Sequence, residues 1–561
     1  MSVRGRQAGP RDGAAAEDRR TPRQEAIRVL AEWPAAQPIP GVDMTSAGRL
    51  LIVGEAAAAL GWAEKLRGKL EPTVLATTAL TDADRPDDER YPVFAGRVRR
   101  LAGHLGAYTI EWETEEAAGA TPAVRSESFD LVLDLCEPPL LRRVVLPDGY
   151  QAPGRDPLDQ ALAVIELLPL VGEFEKPQYV ALQANLCAHS RATLQGCNNC
   201  IEVCATAAIV AKGDTVGVDP YLCQGCGTCA TVCPSGALRY QYPRVADLGA
   251  RLRALLAAYR GAGGEAACLL FHSATSGREL VDRLARRGAL PARVIPLETW
   301  SADAVGIDLL LAAIALGASQ VAILAAGSHD SAPLQKQARI GAAVLNGLGY
   351  AGQHFRIIDS REPDAIAAEL RDWAPAQGVA VAASFCPQAD KRATLDLAIS
   401  YLSSQAPQPQ AEIALPDGAP FGSVAASAAC TLCMGCVGSC PAGALLGGTE
   451  TPRLSFIEHN CLQCGLCVQS CPEGALTMTP RLLLQGARRE RLLREAEIFR
   501  CTRCGKPMGA RPLIEAMASR LAGHSMFASE AARARLRMCG DCRVVDLIEF
   551  ENRPQAAEIN Q

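Results

Sequence analysis

Sixteen of the 23 cysteines in this chain fall into four runs whose spacing suits iron–sulfur chemistry. Three of the runs hold three cysteines at two-residue intervals, then a fourth after three residues, followed by a proline, at Cys223–Cys233, Cys430–Cys440 and Cys461–Cys471. Three thiolates spaced in this way can hold three irons of one cube, while the fourth ligates a different cluster. The spacing therefore predicts iron–sulfur clusters that occur in pairs.

The remaining run is stretched. Nine residues separate Cys187 from Cys197, before Cys200 and Cys204, and no proline follows. If Cys187 were not a ligand, its cluster would keep three thiolates. His189, two residues after Cys187, could donate a hydrogen bond to a cluster sulfur, replace Cys187 as a ligand, or cap a loop. The sequence leaves these roles open.

Zinc and disulfides are alternative uses of so many cysteines. Zinc sites come as paired Cys-x2-Cys knuckles separated by a longer loop, not as three cysteines at two-residue spacing. A disulfide framework needs an oxidising compartment, and residues 1–23 lack the apolar segment of a secretory signal. We therefore expect reduced thiols in a cytoplasmic protein.

The regular runs resemble those of bacterial two-cluster ferredoxins, because each ends in Cys-Pro-x-Gly-Ala-Leu, starting at Cys233, Cys440 and Cys471. The resemblance implies four [4Fe–4S] clusters in two modules, with each cluster taking three cysteines from one run and the last cysteine of the neighbouring run. The sets implied for the first module are Cys187, Cys197, Cys200 and Cys233, and Cys204, Cys223, Cys226 and Cys229. Those implied for the second module are Cys430, Cys433, Cys436 and Cys471, and Cys440, Cys461, Cys464 and Cys467.

Four further cysteines form two knuckles near the C-terminus. Cys501-x2-Cys504 and Cys539-x2-Cys542 are separated by 34 residues. Paired knuckles of this kind build a tetrahedral four-sulfur site. Zinc is the predicted metal, and a rubredoxin-like iron is the alternative.

Alternating strand and helix patterns surround the cysteine runs. In residues 47–179, apolar runs predict a helix over Glu55–Leu70 and strands at Leu50–Val53, Thr73–Leu75, Arg97–Leu101, Ala107–Trp112 and Phe129–Leu135. In residues 262–405 they predict helices between strands at Ala266–Phe271, Arg293–Leu297, Gln320–Leu324, Phe355–Asp359 and Val379–Ala382, hence a parallel sheet. Beyond residue 480, helices are predicted at Arg488–Glu497, Pro512–Leu521 and Ser529–Leu536.

The predicted fold class is α/β and α+β in several domains, for a chain of 561 residues. The chain is predicted to begin with a disordered tail (1–46) that has a short helical patch near residues 24–33, followed by an α/β domain (47–179) and the first 2[4Fe–4S] ferredoxin module (180–243). A doubly wound parallel α/β domain (262–405), a linker (406–423) and the second 2[4Fe–4S] ferredoxin module (424–480) come next. The last part is a helical segment with a zinc-ribbon-like module of four cysteines (481–561). Chiefly around residues 309–327, which contain the step Ala-Leu-Gly-Ala-Ser-Gln-Val-Ala-Ile-Leu, the middle domain resembles the small iron–sulfur subunit of methanogen hydrogenase complexes. That family's extra cysteines are missing here, so the resemblance implies kinship of fold and no fifth iron–sulfur site.

Composition excludes several classes of function. The formal net charge is −5 and aromatic residues make up 5% of the chain, a balance that predicts no nucleic-acid binding. No uncharged apolar run approaches about 18 residues, so no membrane span is predicted. No Ser–His–Asp set, paired carboxylates or phosphate-binding loop is evident, and no catalytic residue is predicted.

The predicted function is that of an electron carrier rather than an enzyme. Four clusters would relay single electrons to or from a partner oxidoreductase. The whole layout, with Phe174-Glu-Lys-Pro-Gln-Tyr, Leu186-Cys-Ala-His-Ser and Cys501-Thr-Arg-Cys-Gly-Lys, resembles bacterial iron–sulfur proteins associated with molybdenum formate dehydrogenase systems. The resemblance implies that dehydrogenase as a partner. Two alternatives stay open, namely an oxidoreductase subunit whose α/β domain binds a substrate or flavin, and an assembly factor for a redox enzyme.

Overall fold

The computed structural model describes residues 20–34, 37–80, 90–114, 123–448 and 450–551, so the first 19 residues of the predicted tail lie outside it. Within that tail, helix α1 (Pro22–Ala31) is capped by Thr21, whose side chain accepts a hydrogen bond from the Gln24 amide. Strand β1 (Gly41–Ser46) pairs with a later strand. Helix α1 confirms the predicted helical patch near residues 24–33, and burial of Ala26 in the middle domain's core stabilises it. Strand β1 corrects the prediction of disorder for its six residues, because its pairing with a later strand orders them.

The N-terminal α/β domain is built on a seven-stranded sheet. Its elements are β2 (Arg49–Gly54), α2 (Ala56–Leu66), β3 (Glu71–Ala76), β4 (Val93–Ala102), β5 (Tyr108–Thr114), β6 (Val124–Phe129), β7 (Leu131–Asp134), β8 (Tyr150–Gln151), α3 (Pro157–Leu167) and β9 (Gly172–Pro177). The strand order is β6-β5-β4-β3-β2-β7-β8, in which β5 is antiparallel to both of its neighbours and all other neighbouring strands are parallel. Strand β9 pairs antiparallel with β1. The strands and helix predicted for this domain are confirmed. Strand β6 was not predicted because five of its six residues are exposed and lack an apolar pattern.

The first module consists of short hairpins and one-turn helices. Its elements are β10 (Val180–Leu182), β11 (Ser190–Arg191), β12 (Leu194–Gln195), α4 (Asn199–Glu202), β13 (Ile209–Lys212), β14 (Thr215–Val218), α5 (Thr228–Val232) and β15 (Leu238–Tyr240). Strand β10 pairs with β15, β11 with β12 and β13 with β14, each pair antiparallel. Its apolar core includes several of the cysteines, so the same packing that stabilises the module also positions its thiols.

The middle domain is a four-stranded parallel sheet in the order β17-β16-β18-β19, which confirms the predicted parallel sheet. Its elements are α6 (Val245–Gly261), β16 (Cys268–Ser273), α7 (Ser276–Arg286), β17 (Val294–Thr299), α8 (Ile307–Ala315), β18 (Gln320–Leu324), α9 (Ala332–Gly347), β19 (Phe355–Ile358), α10 (Pro363–Arg371) and α11 (Lys391–Ser404). Every residue of α8 is buried. Helices α1 and α6 join the same apolar core, so this unit includes residues before the predicted boundary at 262.

The strand predicted at Val379–Ala382 is wrong, since the segment has no regular structure. The chain instead crosses the sheet's amino-terminal side. The Gln377 amide donates to the Ala351 carbonyl, and the Ala383 amide donates to the Ala315 carbonyl at the end of α8. These bonds hold the residues on either side of the segment, and the segment forms no ladder with β19.

The second module repeats the small hairpins, and the C-terminal region follows it. The module's elements are β20 (Glu412–Ala414), β21 (Gly422–Ala426), α12 (Gly435–Ser439), β22 (Leu445–Gly447), β23 (Arg453–Phe456), α13 (Leu466–Gln469), β24 (Leu476–Leu483) and β25 (Arg491–Glu495). The strand orders are β20-β24-β21 and β22-β23-β25. The C-terminal elements are β26 (Ile498–Arg500), β27 (Pro507–Ala510), α14 (Arg511–Leu521), α15 (Glu530–Arg535) and α16 (Gly540–Glu551).

Two predictions near the second module are corrected. The linker predicted over 406–423 is packed, because β20 pairs with β24 and Ile413 is buried. The helix predicted at Arg488–Glu497 is wrong, since strand β25 lies there instead. The strand forms because β23 offers a free edge and Leu493 packs on the module's core. The helices predicted at Pro512–Leu521 and Ser529–Leu536 are confirmed as α14 and α15. In the described part of the chain, no helix has the length and apolar character needed to cross a membrane.

Candidate iron–sulfur and metal centres

Left-handed turns bring the thiols of each regular run together. In all three runs, the residues two and four positions after the first cysteine have positive φ, namely Gly225 and Gly227, Leu432 and Met434, and Gln463 and Gly465. This conformation costs glycine little but costs other residues about 1–2 kcal/mol each. The turns lead into α5, α12 and α13, whose cysteines are the third of each run.

A further left-handed residue lies three positions after the last cysteine of every run. It is Gly236, Gly443 or Gly474 in the regular runs, and Ala207 in the stretched run, with a φ of 52°. This turn explains the glycine in the Cys-Pro-x-Gly signature. The stretched run therefore folds like the others after Cys204, although it has alanine where they have glycine.

Two small cavities in the second module are each lined by four cysteines. The lining cysteines of the first cavity, here named the Cys430 set, are Cys430, Cys433, Cys436 and Cys471. Those of the second cavity, the Cys461 set, are Cys440, Cys461, Cys464 and Cys467. Each cavity thus combines three cysteines of one run with one of the other, which is the combination that the ferredoxin resemblance implies.

Thiols of the first module also meet across its two runs. Burial raises the pKa of Cys200 to about 12, and the neighbouring thiolates of Cys233, Cys197 and Cys187 add to the rise. These four residues are named the Cys187 set. Burial also raises the pKa of Cys229 well above its usual range, and the neighbouring thiolates of Cys226, Cys223 and Cys204 raise it further. These four residues are named the Cys223 set.

The chemistry of these sets fits [4Fe–4S] clusters. Burial raises the pKa of Cys436 to about 11 and that of Cys467 to about 12, so these thiols would be neutral without a cation beside them. Metal binding requires the thiolate, and a bound metal supplies the missing positive charge. Four thiolates facing one space, from two crossing runs, are the ligands that such a cluster takes.

Hydrogen bonds to sulfur differ between the modules. In the second module, the amides of Ala444 and Ala475 donate to the Sγ atoms of Cys440 and Cys471, each over 3.3 Å. In the first module, hydroxyl oxygens take this place. The Oγ atom of Ser235 lies 3.7 Å from the Sγ atom of Cys233, and Oγ1 of Thr206 lies 3.6 Å from that of Cys204. Such bonds tune the reduction potential of a cluster.

The buried His189 makes a backbone contact. Its Nδ1 atom lies 3.2 Å from the carbonyl oxygen of Cys197, and its own carbonyl accepts from the Gly196 amide over 2.6 Å. Of the three roles left open by the sequence, loop capping agrees best with these contacts. Cys187 itself lies with the other thiols of its set, since its charge contributes to the raised pKa of Cys200.

Two neighbouring residues at the start of α11, which sequence reasoning missed, each contact one module. Lys391 Nζ donates to the carbonyls of Ala230 and Thr231 in α5, at 3.0 and 2.5 Å. Arg392 donates to the carbonyls of Pro420 and His459, at 2.7 and 2.6 Å. No local pattern could have revealed them, because their partners are distant in sequence.

The four C-terminal cysteines form a tighter group. All four Sγ atoms lie within 4.8 Å of one another, and those of Cys504 and Cys539 are 3.7 Å apart. A tetrahedral zinc with bonds of about 2.3 Å separates its sulfurs by about 3.8 Å. The Cys539 amide donates to the Sγ atom of Cys501, and this bond is the main cause that lowers the pKa of Cys501 to about 6. The site is therefore sized for one metal ion.

Comparison with known proteins matches two stretches of the chain. Residues 429–475 match the family described as a 4Fe-4S dicluster domain, and residues 216–239 match the 4Fe-4S binding domain. The first match covers the Cys430 and Cys461 sets, and the second covers one run of the first module. The stretched run and the C-terminal cysteines lie outside both. No curated protein matches the chain.

Proposed function

We propose that this chain is a multi-cluster electron-transfer protein that holds a [4Fe–4S] cluster in each of its four cysteine sets. The observation that carries the proposal is that cysteines of two runs meet in each set, around a cavity in the second module and as neighbouring thiols in the first. Bound clusters of this type accept and donate single electrons at potentials of roughly −700 to +450 mV. The thiolates hold the clusters, and the surrounding apolar side chains and sulfur hydrogen bonds control their environment.

Exposure of the ligands supports a docking position for a redox partner. Of the sixteen cysteines in the four sets, all of which are described, Cys433 alone is exposed. The Cys430 set therefore has the shortest path to a protein bound at the surface. A donor or acceptor protein would approach beside Cys433 and Met434.

The C-terminal site is proposed to hold zinc, with a rubredoxin-like iron as the alternative. Its four thiolates leave no open position for a substrate, which is typical of a structural site. The first knuckle lies in the β26–β27 hairpin and the second begins at Cys539, just before α16. A metal between them would tie this hairpin to the last helix.

Elemental analysis tests the proposal directly. Anaerobically purified protein is expected to contain about sixteen iron and sixteen sulfide per chain, from four cubes, and about one zinc. Low-temperature EPR of the reduced protein should show the signals of [4Fe–4S] clusters. Folded protein that contains no acid-labile sulfide would refute the proposed function.

The proposed partner is a redox enzyme, with formate dehydrogenase as the specific candidate. The support for that candidate is the sequence resemblance around Phe174–Tyr179, Leu186–Ser190 and Cys501–Lys506. Affinity purification of the tagged chain from its native cells, followed by mass spectrometry, tests it. Recovery of a different redox enzyme would remove formate dehydrogenase from the proposal.

An oxidoreductase subunit is a second candidate function, favoured by a cleft of about 420 Å³ between α11 and the second module. Four arginines contribute to its lining, and so does His459, which is two residues before Cys461 in the chain. Two of these arginines are neutralised, because Arg481 pairs with Glu458 and Arg488 with Asp396. A flavin spectrum, or an anionic substrate that reduces the isolated protein, would support this function over that of a carrier.

A further inference from the structure

The residues that stretch the first cysteine run form a hairpin. Strand β11 pairs with β12, and the two residues between them, Ala192 and Thr193, have φ values of 49° and 69°. A two-residue hairpin turn of type I′ has positive φ at both turn positions and normally uses Asn or Gly there. A β-branched threonine in this conformation is unusual, which indicates that its surroundings hold the turn. We name residues 188–196 the junction hairpin.

Polar contacts anchor the junction hairpin within the first module. Ser190 Oγ donates to Asp214 Oδ1 over 2.9 Å, which ties the hairpin to the turn between β13 and β14. Arg191 donates to the carbonyl of Cys187 over 3.3 Å, and the Cys197 amide donates to the carbonyl of Ala188 over 2.9 Å. The hairpin is therefore rigid at both ends, and both ends are next to ligands.

The free side of the junction hairpin packs on the second module. A Cβ atom placed on Gly196 would lie 2.7 Å from Cγ and 3.0 Å from Cδ1 of Leu466, so the side chain and the glycine backbone are in direct contact. It would also lie 2.7 Å from the carbonyl oxygen of Ala188 in the same hairpin. Leu466 is fully buried, and it lies in α13 between Cys464 and Cys467. Contacts between β12 and α13 extend this packing. The insertion thus joins a ligand loop of one module to a ligand helix of the other.

Helix α11 fixes the same arrangement from another side. Lys391 and Arg392 are consecutive, and each donates to backbone carbonyls of a different module, as described above. Asp390 also pairs with Arg239 of the first module over 3.0 Å. Because one short stretch of a rigid helix contacts both modules, their relative position does not depend on the hairpin alone.

We propose that the junction hairpin joins the two modules into one continuous line of cysteine sets, in the order Cys223, Cys187, Cys461 and Cys430. The inference rests on the proposed function and deepens it, because the modules then act in series rather than serving separate partners. One electron received from a donor protein at one end leaves to an acceptor protein at the other end, and no proton or bond is exchanged.

Packing between the one-turn helices supports this order. Helices α4 and α5, which carry ligands of the Cys187 and Cys223 sets, are in contact, and Asn199 Nδ2 donates to the Val232 carbonyl over 3.4 Å. Helices α12 and α13, which carry ligands of the Cys430 and Cys461 sets, are also in contact, and the Oγ atoms of Ser439 and Ser470 lie 2.8 Å apart. The junction hairpin supplies the link between the Cys187 and Cys461 sets. The three links connect the four sets end to end.

Spin coupling between the reduced clusters tests the line. In fully reduced, iron-replete wild-type protein, we expect EPR spectra broadened by coupling across the junction. Gly196→Val places a side chain where Leu466 and the Ala188 carbonyl lie, and iron-replete variant protein should show weaker coupling, although α11 still contacts both modules. Gly217→Val in β14 is the matched control, since the nearest atom to its added Cβ is 3.6 Å away. Iron-replete wild-type protein without coupling between the modules would overturn the proposal.

A double-mutant cycle provides a second test that does not depend on the valine variant. The rate at which a chelator bleaches the iron–sulfur absorbance is measured for Gly196→Ala, Leu466→Ala and their combination, with Leu466→Val in place of Leu466→Ala if the larger truncation yields no iron. Contacting residues should give a combined acceleration smaller than the product of the single ones. Accelerations that multiply would show that the two residues do not interact, and would overturn the junction.

The proposed function and the line of four sets are refuted by different results. Wild-type protein without iron and sulfide refutes the proposed function. Wild-type protein with about sixteen iron per chain, multiplicative effects in the cycle and no coupling across the modules refutes only the line of four sets.

Discussion

The two modules share a cysteine pattern but lie in different surroundings. In the first module, Gly227 is so close to the middle domain that a Cβ atom on it would lie 2.6 Å from that of Ala304. The Thr231 hydroxyl donates to the carbonyl of Asp303 over 2.6 Å. In the second module, the position equivalent to Gly227 is Met434, and the adjacent Cys433 is exposed. The same ligand pattern therefore holds a covered set at one end of the proposed line, the Cys223 set, and an exposed set at the other end, the Cys430 set.

Aromatic side chains add to the cover of the first module. The rings of Tyr179, Tyr242 and Trp300 lie with centroids 5.3–5.8 Å apart, and the Tyr179 ring occupies the space that a Cβ atom on Gly225 would need. A protein that exchanges electrons with the Cys223 set must therefore approach over this group or the middle domain. Cover and exposure, rather than ligand type, distinguish the two ends.

The largest expected difference between the ends concerns loss of a ligand. Cys229 is buried, so Cys229→Ser leaves a site that neither water nor a strained serine can complete, and about four of sixteen irons should be lost. Cys433→Ser lies at the surface, where water can occupy the vacant position, and should lose about one iron at most. Iron analysis with EPR measures both variants. Equal iron losses would contradict the distinction between covered and open ends.

A smaller effect is expected at the two residues of α11 that contact the modules. Lys391→Met leaves the carbonyls of Ala230 and Thr231 without their donor, which should cost about 1–3 kcal/mol. Arg392→Met removes the corresponding bonds to Pro420 and His459. Urea titrations followed by EPR are expected to show first-module clusters lost earlier in Lys391→Met, and second-module clusters lost earlier in Arg392→Met. The same order of loss in both variants would show that α11 does not contact the modules separately.

Substitutions in the left-handed turns of the two modules should change their stability in opposite directions. Met434→Gly relieves a non-glycine residue at a φ of 63°, and is expected to stabilise the second module by about 1 kcal/mol. Gly227→Ala should destabilise the first module by more than that amount, since it adds both left-handed strain and the contact with Ala304. Chelator-induced bleaching rates, measured alongside wild type, give the two signs. Destabilisation by Met434→Gly would mean that the methionine side chain contributes more than its backbone strain costs.

Sequence reasoning succeeded where structure depends on local spacing. The parallel strands of the middle domain and helices α14 and α15 follow from apolar periodicity, and the grouping of each cysteine run follows from its turns. The predictions for the tail residues that form β1, for the linker and for the Arg488–Glu497 helix are corrected, because partners distant in sequence determine those segments. Strand β25, for example, forms because β23 has a free edge, and nothing in the sequence of Arg491–Glu495 indicates that such an edge lies beside it.

The same limit applies to the candidate sites. The nine-residue gap after Cys187 is visible in the sequence, but only as an irregularity of a ligand set. Its role as an inter-module contact depends on Leu466, which is distant in the chain. Lys391 and Arg392 were likewise indistinguishable from ordinary charged residues at a helix start.

The smallest expected effect concerns the hydrogen bonds to two cysteines that end their runs, Cys233 in the Cys187 set and Cys440 in the Cys461 set. Ser235 Oγ accepts from the Ala237 amide over 3.3 Å, so its own hydrogen is available for the sulfur of Cys233. At the equivalent place in the second module stands Ala442, and the Cys440 sulfur accepts directly from the Ala444 amide. A hydroxyl that donates to a thiolate stabilises the more negative, reduced state of a cluster and so raises its potential.

Exchanging these two residues should therefore change the driving force across the junction. Ser235→Ala is expected to lower the potential of the Cys187 set, and Ala442→Ser to raise that of the Cys461 set, with little change at the two outer sets. Redox titrations followed by EPR measure the four potentials in each variant. Because the two sets are neighbours in the proposed line, the double variant should shift their difference by the sum of the single shifts. A change of potential confined to the Cys223 or Cys430 set would show that Cys233 and Cys440 ligate those clusters, and would contradict their crossed assignment.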